Sequence, residues 1–245
     1  MKNILKAFGL NFRPSIIIDS KETLQYAAES LGILPFFPNK ISQFSVEEMC
    51  VPGMLFGGNY EEGCWEWKGP VIRQRTLAYG KFFRRKAGFV SLELLPDFLN
   101  YRRYAYPIEP GSTAEMLYEI ISVNDSLSST ELKKLIFGGR RTEEELPSSL
   151  NKEPDIRKSK SIEAPLQRLQ MGGWIIISDF EYKRTKMGER YGWGVARYST
   201  PEYIFGDSLR FLENKSPQSS LSAIVRFLKK KLPFVSEKKF KELLK

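Results

Sequence analysis

Gln167, Arg168 and Gln170 stand close together in a stretch of helical periodicity, and Lys183, Arg184, Lys186 and Arg190 surround a Lys-Met-Gly-Glu turn at 186–189. Carboxamides and a guanidinium match the donor and acceptor pattern of base edges, whereas hairpin cations neutralise phosphates. A second basic zone lies earlier. Between Val71 and Tyr104, the cations Arg73, Arg75, Lys81, Arg84, Arg85, Lys86, Arg102 and Arg103 face only Glu93 and Asp97, interleaved with Tyr79, Phe82, Phe83 and Phe89. Such mixing suits a surface that grips phosphates and stacks on bases, and Arg84, Arg85, Arg102 and Arg103 are its candidate contacts. It equally fits an aromatic core with a solvated cationic rim. A net charge of +9 points the same way, to a polyanionic partner, for which duplex DNA is the expectation. The alternative is that these polar residues serve contact with a protein partner.

The chain contains no histidine. Ser-His-Asp and Cys-His hydrolases, histidine-ligated zinc enzymes and histidine general acids are thereby excluded. Any catalysis is left to carboxylates, amides, lysine, tyrosine or a cofactor. Cys50 and Cys64 have no histidine and no second pair with which to complete a metal site, so they read as buried thiols in a reducing compartment. No metal and no cofactor is expected. An apolar run of about 18 residues is missing, since Ile16-Ile17-Ile18 is cut short by Pro14 and Asp19. The expectation is a cytoplasmic protein that does not cross a membrane.

These groups must be positioned by an α+β fold, for which 245 residues with 42 % hydrophobic side chains suffice. A mobile leader at 1–19 precedes a predicted helix from Ser20 to Leu31, with Asp19 and Glu22 spaced as a capping box and Gly32 as its stop. Gly32 to Tyr79 reads as turn-rich, around the cluster Trp65-Glu66-Trp67-Lys68-Gly69-Pro70, and Ser91 to Arg103 reads as a helix that Pro96 restarts or bends. Pro107 to Gly111 marks a boundary. Beyond it, Ser112 with Glu115 and Ser128 with Glu131 form capping boxes ahead of two amphipathic helices; a third helix runs over 162–171, and strands over 174–182 and 191–198 form a hairpin. Three helices followed by a hairpin is the order of a winged helix-turn-helix, here over 112–198. The 138–160 insert, with Arg140-Arg141 and Glu143-Glu144-Glu145, reads as an exposed loop. The domains are therefore 20–106, a mixed α+β unit in which a degenerate winged helix stays open, 112–198, and a basic helical extension at 199–245 that packs on the body. No repeat of useful length is visible.

The run Lys86-Ala87-Gly88-Phe89-Val90-Ser91-Leu92-Glu93-Leu94-Leu95-Pro96-Asp97-Phe98 with Tyr101-Arg102-Arg103 resembles the HAASLLP-type segment of the AlkZ-type DNA glycosylases. Over roughly Thr23 to Gly206 the chain is similar to the AlkZ-related group, through WEWKGP, AYGKFF, KAGF, PDFxNYRR, RLQM, SDFEYKR and YGWGVARY. The resemblance implies winged-helix modules and an ancestral activity on the N-glycosidic bond of alkylated or crosslinked bases. In the glycosylases a Gln-apolar-Asp or Gln-apolar-Gln motif positions the attacking water; here Pro35-Phe36-Phe37 occupies that place and can neither orient nor deprotonate water. The resemblance therefore implies a DNA-binding relative without that chemistry. An active enzyme would need a relocated carboxylate, with Glu66 ahead of Glu93 and Asp97, or an attacking amine, Lys68 or Lys81, and a base pocket lined by Trp65, Trp67, Arg73 and Tyr79.

Overall fold

The computed structural model describes residues 16–57, 62–137, 161–188, 190–209 and 214–245, so the 138–160 insert and most of the expected leader lie outside the described residues. Helices alternate with small antiparallel sheets. The first run contains α1 (Lys21–Leu31), β1 (Ile33–Pro35), α2 (Val46–Met49), α3 (Cys64–Arg73), β2 (Leu77–Phe83) and β3 (Lys86–Ser91). After α4 (Leu95–Ala105) the same order returns as α5 (Thr113–Ser122), β4 (Leu127–Ser128), α6 (Ser129–Phe137), α7 (Glu163–Gly172), β5 (Ile176–Arg184) and β6 (Arg190–Ser199). Helices α8 (Pro201–Phe205), α9 (Pro217–Lys231) and α10 (Glu237–Leu243) complete the described chain. In each run the short first strand pairs with the last, giving the orders β1-β3-β2 and β4-β6-β5. A repeat thus exists in topology although none is visible in sequence, because element order needs only matching periodicities and not matching residues.

Local chemistry explains most element ends. Ser128 and Glu131 cap reciprocally, with the Glu131 N–H 3.2 Å from Ser128 Oγ and the Ser128 N–H 2.7 Å from Glu131 Oε2. Ser112 Oγ likewise accepts from the Glu115 N–H. At α1 the cap differs from the Asp19–Glu22 expectation: Ser20 pairs with Thr23, whose hydroxyl sits at the third helical position and reaches back to the Ser20 N–H at 2.9 Å. Helix α4 starts at Leu95 instead of Ser91, because Ser91 pairs with Leu77 in the sheet and Pro96 falls in the first helical turn, where its missing N–H is harmless. Within the stretch read as turn-rich, the Trp65–Pro70 cluster lies in helix α3. Burial of Trp67, Val71 and Ile72 outweighs the proline and glycine within it. Cys50, which ends α2, and Cys64, which opens α3, are joined as a disulfide instead of standing as separate thiols, since the Cys64 N–H donates to Met54 O at 3.1 Å and so brings the start of α3 beside the segment that follows Cys50.

The two runs pack reciprocally. Helix α3 lies on β5, α7 lies on β2, and β2 contacts β5. Helix α4 joins them through Arg102, which is fully buried. Its guanidinium donates to Met171 O (2.6 Å) at the end of α7, to Phe82 O (3.0 Å) in β2 and to Leu244 O beyond α10, and lies 4.4 Å from the Tyr106 ring. Removing it would leave carbonyls unsatisfied at about 1–3 kcal/mol each. Helix α9 covers α4, and its Phe227 comes so near Gly32 that a Cβ there would meet the ring at 2.6 Å. Gly32 also adopts φ 74° to stop α1, so glycine is required twice over.

Candidate nucleic-acid interface

Helix α7 presents little of its expected reading surface. Gln170 is 1 % exposed. Its Oε1 accepts from the Lys81 N–H at 3.1 Å and its Nε2 donates to Leu166 O at 3.3 Å, so it fastens α7 to strand β2 and is not available to a base. Gln167 is half-buried. Arg168 is exposed but reaches Pro107 O (3.2 Å) and Glu109 (3.7 Å) on the linker. Of the β5–β6 hairpin cations, Lys183 and Lys186 are exposed; the side chains of Arg184 and Arg190 lie outside the described residues, although the two positions pair in the ladder. Arg102 is the buried clamp already described, and Arg103 binds Glu202 (2.6 Å) and Gly173 O while stacking on Trp174. Both answer to internal acceptors instead of phosphates.

The expected base pocket is a filled core. Trp67 and Tyr79 are buried, and Phe36 packs among Phe37, Trp65, Tyr79 and Phe89 with ring centroids 5.3 to 6.4 Å apart. Burial, and then Tyr182, pushes the Tyr79 phenol far above its ordinary value, which keeps it neutral. Arg73 leaves this cluster for the surface, where it bridges to Asp179 at 2.7 Å. Glu66 accepts from the Gly63 N–H at 3.0 Å and so caps its own helix, a structural task that accounts for its position. Lys68, 2 % exposed, donates to Trp65 O and lies 3.8 Å from the Trp65 ring centroid and 4.6 Å from that of Phe180. Desolvation lowers its pKa from 10.5 to about 8, against the opposing pull of Glu66. An amine so enclosed cannot reach a sugar without the core opening. Asp97 is tied to Lys215 at 2.6 Å, while Glu93 and Lys81 are exposed.

An open groove lies instead at the tip of the first hairpin. Arg84 and Arg85 form the two-residue turn between β2 and β3 with φ of 49° and 67°, a conformation that usually selects Asn-Gly. Both side chains are exposed, as is Lys86. Beside them a cavity of 410 Å³ is lined by Pro35, Phe37, Phe83, Lys40, Lys86 and Glu242, among others. Its floor is apolar and its rim cationic. Lys40 donates to Glu242 at 3.0 Å, and this bond holds the carboxylate below its ordinary range. Lys40 and Glu242 escaped the sequence reading; the one available signal was the Arg-Arg pair between two aromatic runs, which marks a hairpin tip. Arg84 and Arg85 stay exposed, as do Arg168, Lys183 and Lys186, and Phe37 forms part of the groove that the two arginines flank.

Comparison with known proteins gives one family and one solved structure. The family described as AlkZ related matches residues 18–245. The Streptomyces sahachiroi DNA glycosylase AlkZ is similar in structure at 11 % sequence identity and a TM-score of 0.45, over 87 % of this chain and 52 % of that one. The chain thus spans about half the length of that glycosylase. No curated protein matches the sequence.

Proposed function

The chain belongs to the AlkZ-related family, and from that premise we propose that it binds duplex DNA without hydrolysing the glycosidic bond. Its two runs of helix, short strand, two helices and hairpin are read as two winged helices, at 20–106 and 112–198, followed by a helical extension. The observation that carries the reading is the β2–β3 tip. Two arginines are held in left-handed backbone, at a cost of about 1 kcal/mol or more each, beside a cation-rimmed groove. A chain that tolerates such strain on a solvent-facing turn has a use for those side chains. Loss of chemistry is supported by the closed aromatic packing around Phe36 and by the capping task of Glu66.

Affinity for a duplex should fall steeply with salt, since each neutralised phosphate releases a counterion. Arg84→Gln/Arg85→Gln should lower the slope of log affinity against log salt by about two units. An unchanged slope would move the contact to Arg168, Lys183 and Lys186. Absence of binding at low salt would overturn the reading.

A further inference from the structure

The C-terminal helices carry a second cationic groove. Arg226, Lys229 and Lys230 of α9 face Lys241 of α10 across a cavity of 530 Å³, with Glu237 as its one carboxylate. Lys229 is occupied by Pro233 O (2.6 Å) and Val235 O (2.8 Å), which it caps, and Lys241 lies 3.6 Å from Glu237. Arg226, Lys230 and Lys241 are exposed, and among the described residues Arg226 and Lys230 form no ion pair. The apolar face of α9, with Ile224, Val225 and Leu228, is already buried, so these cations are not needed to keep the helix in place.

Helix α10 is shared by both grooves. Glu242 and Leu243 line the cavity at the β2–β3 tip, while Glu237 and Lys241 line the one against α9. Between them, the Glu242 carboxylate is held mainly by Lys40, with Lys238 of α10 and Arg84 of the hairpin adding to the same pull. Cations flanking two consecutive grooves suit a partner that carries regularly spaced negative charge over a length greater than one groove. Nucleic-acid phosphates do so, and an isolated anion does not.

We propose that α9 and α10 form a phosphate-gripping extension of the β2–β3 tip, so that one duplex backbone is held on both sides of α10. The inference rests on the DNA-binding reading above. In the full chain, Arg226→Gln/Lys230→Gln/Lys241→Gln should lower the salt slope of duplex binding by about two to three units. Lys230→Arg/Lys241→Arg should leave it unchanged, and Lys230→Gln alone should lower it by about one unit, which serves if the triple variant fails to fold. If the wild type binds a duplex and the triple variant shows the same slope, the extension is not part of the contact and only the inference falls. If the triple variant keeps its duplex slope but loses binding to poly-glutamate, the groove serves an acidic protein and the inference is likewise overturned. If the wild type binds no duplex at low salt, this inference and the reading beneath it fall together.

Discussion

Lys68 is an ammonium enclosed by two aromatic rings and a carbonyl, and its burial makes protonation of the folded state unfavourable relative to the unfolded chain. Below about pH 8 the lysine is protonated in both states and the full penalty applies. Between about pH 8 and 10.5 the folded protein releases this proton while the unfolded chain retains it, so stability attributable to Lys68 rises with pH. The gain across that window is roughly 3 kcal/mol. Urea midpoints of wild type and Lys68→Met compared at pH 7, 9 and 10.5 should show the rise in the wild type alone; parallel curves would mean that the amine is hydrated in the folded protein. Gln170 illustrates the same scale differently. Its residue type suits a base edge, but both ends of its amide are engaged inside the fold.

At the scale of elements, the β2–β3 hairpin sets backbone strain against charge. Arg84→Asn/Arg85→Gly installs the residues that a two-residue turn with positive φ prefers, so it should stabilise the protein by about 1–2 kcal/mol in thermal or urea unfolding. The same change removes two cations from the proposed contact and should weaken duplex binding. Opposite signs for stability and affinity are the expected outcome. A variant neither more stable nor weaker in binding would mean that the turn relaxes to accept arginine and that its charge is idle. Helix α7 shows how an element of the expected type and boundaries can serve another purpose: it is helical over the expected stretch, yet its position against β2 and α4 turns Gln170 inward.

For the whole molecule, the reciprocal packing of the two runs closes the site where a relocated catalytic group would have been placed. Trp65, Tyr79 and Lys68 belong to a core completed by Phe180 from the other run, and the half-buried Glu66 beside them is engaged by the Gly63 N–H. Single-turnover incubation with alkylated DNA, with protein in large excess, should therefore release no 7-methylguanine. The assay must reach about 10⁴-fold below an active relative, the range over which one catalytic group acts. Release abolished by Glu66→Gln with DNA binding retained would establish the enzyme reading instead.

The sequence by itself determined the local decisions. Ser112, Ser128 and Gly32 begin or end helices where hydroxyls and a glycine do so in any context, and the second hairpin is written in its β-branched and aromatic runs. Absence of histidine and excess of cations also bound the chemistry without a structure. Only the tertiary structure decided which face of each element stays open. The helix at Trp65–Pro70 exists because its apolar side is covered, which propensity cannot foresee past Gly69 and Pro70. Arg102 and Arg103 belong to the same basic zone of the sequence as the outward cations but point at carbonyls and a carboxylate contributed from far along the chain. The groove at Phe37 depends on Arg84 and on Glu242. Periodicity reports that a residue is on a face, and the chain must fold before that face has a neighbour.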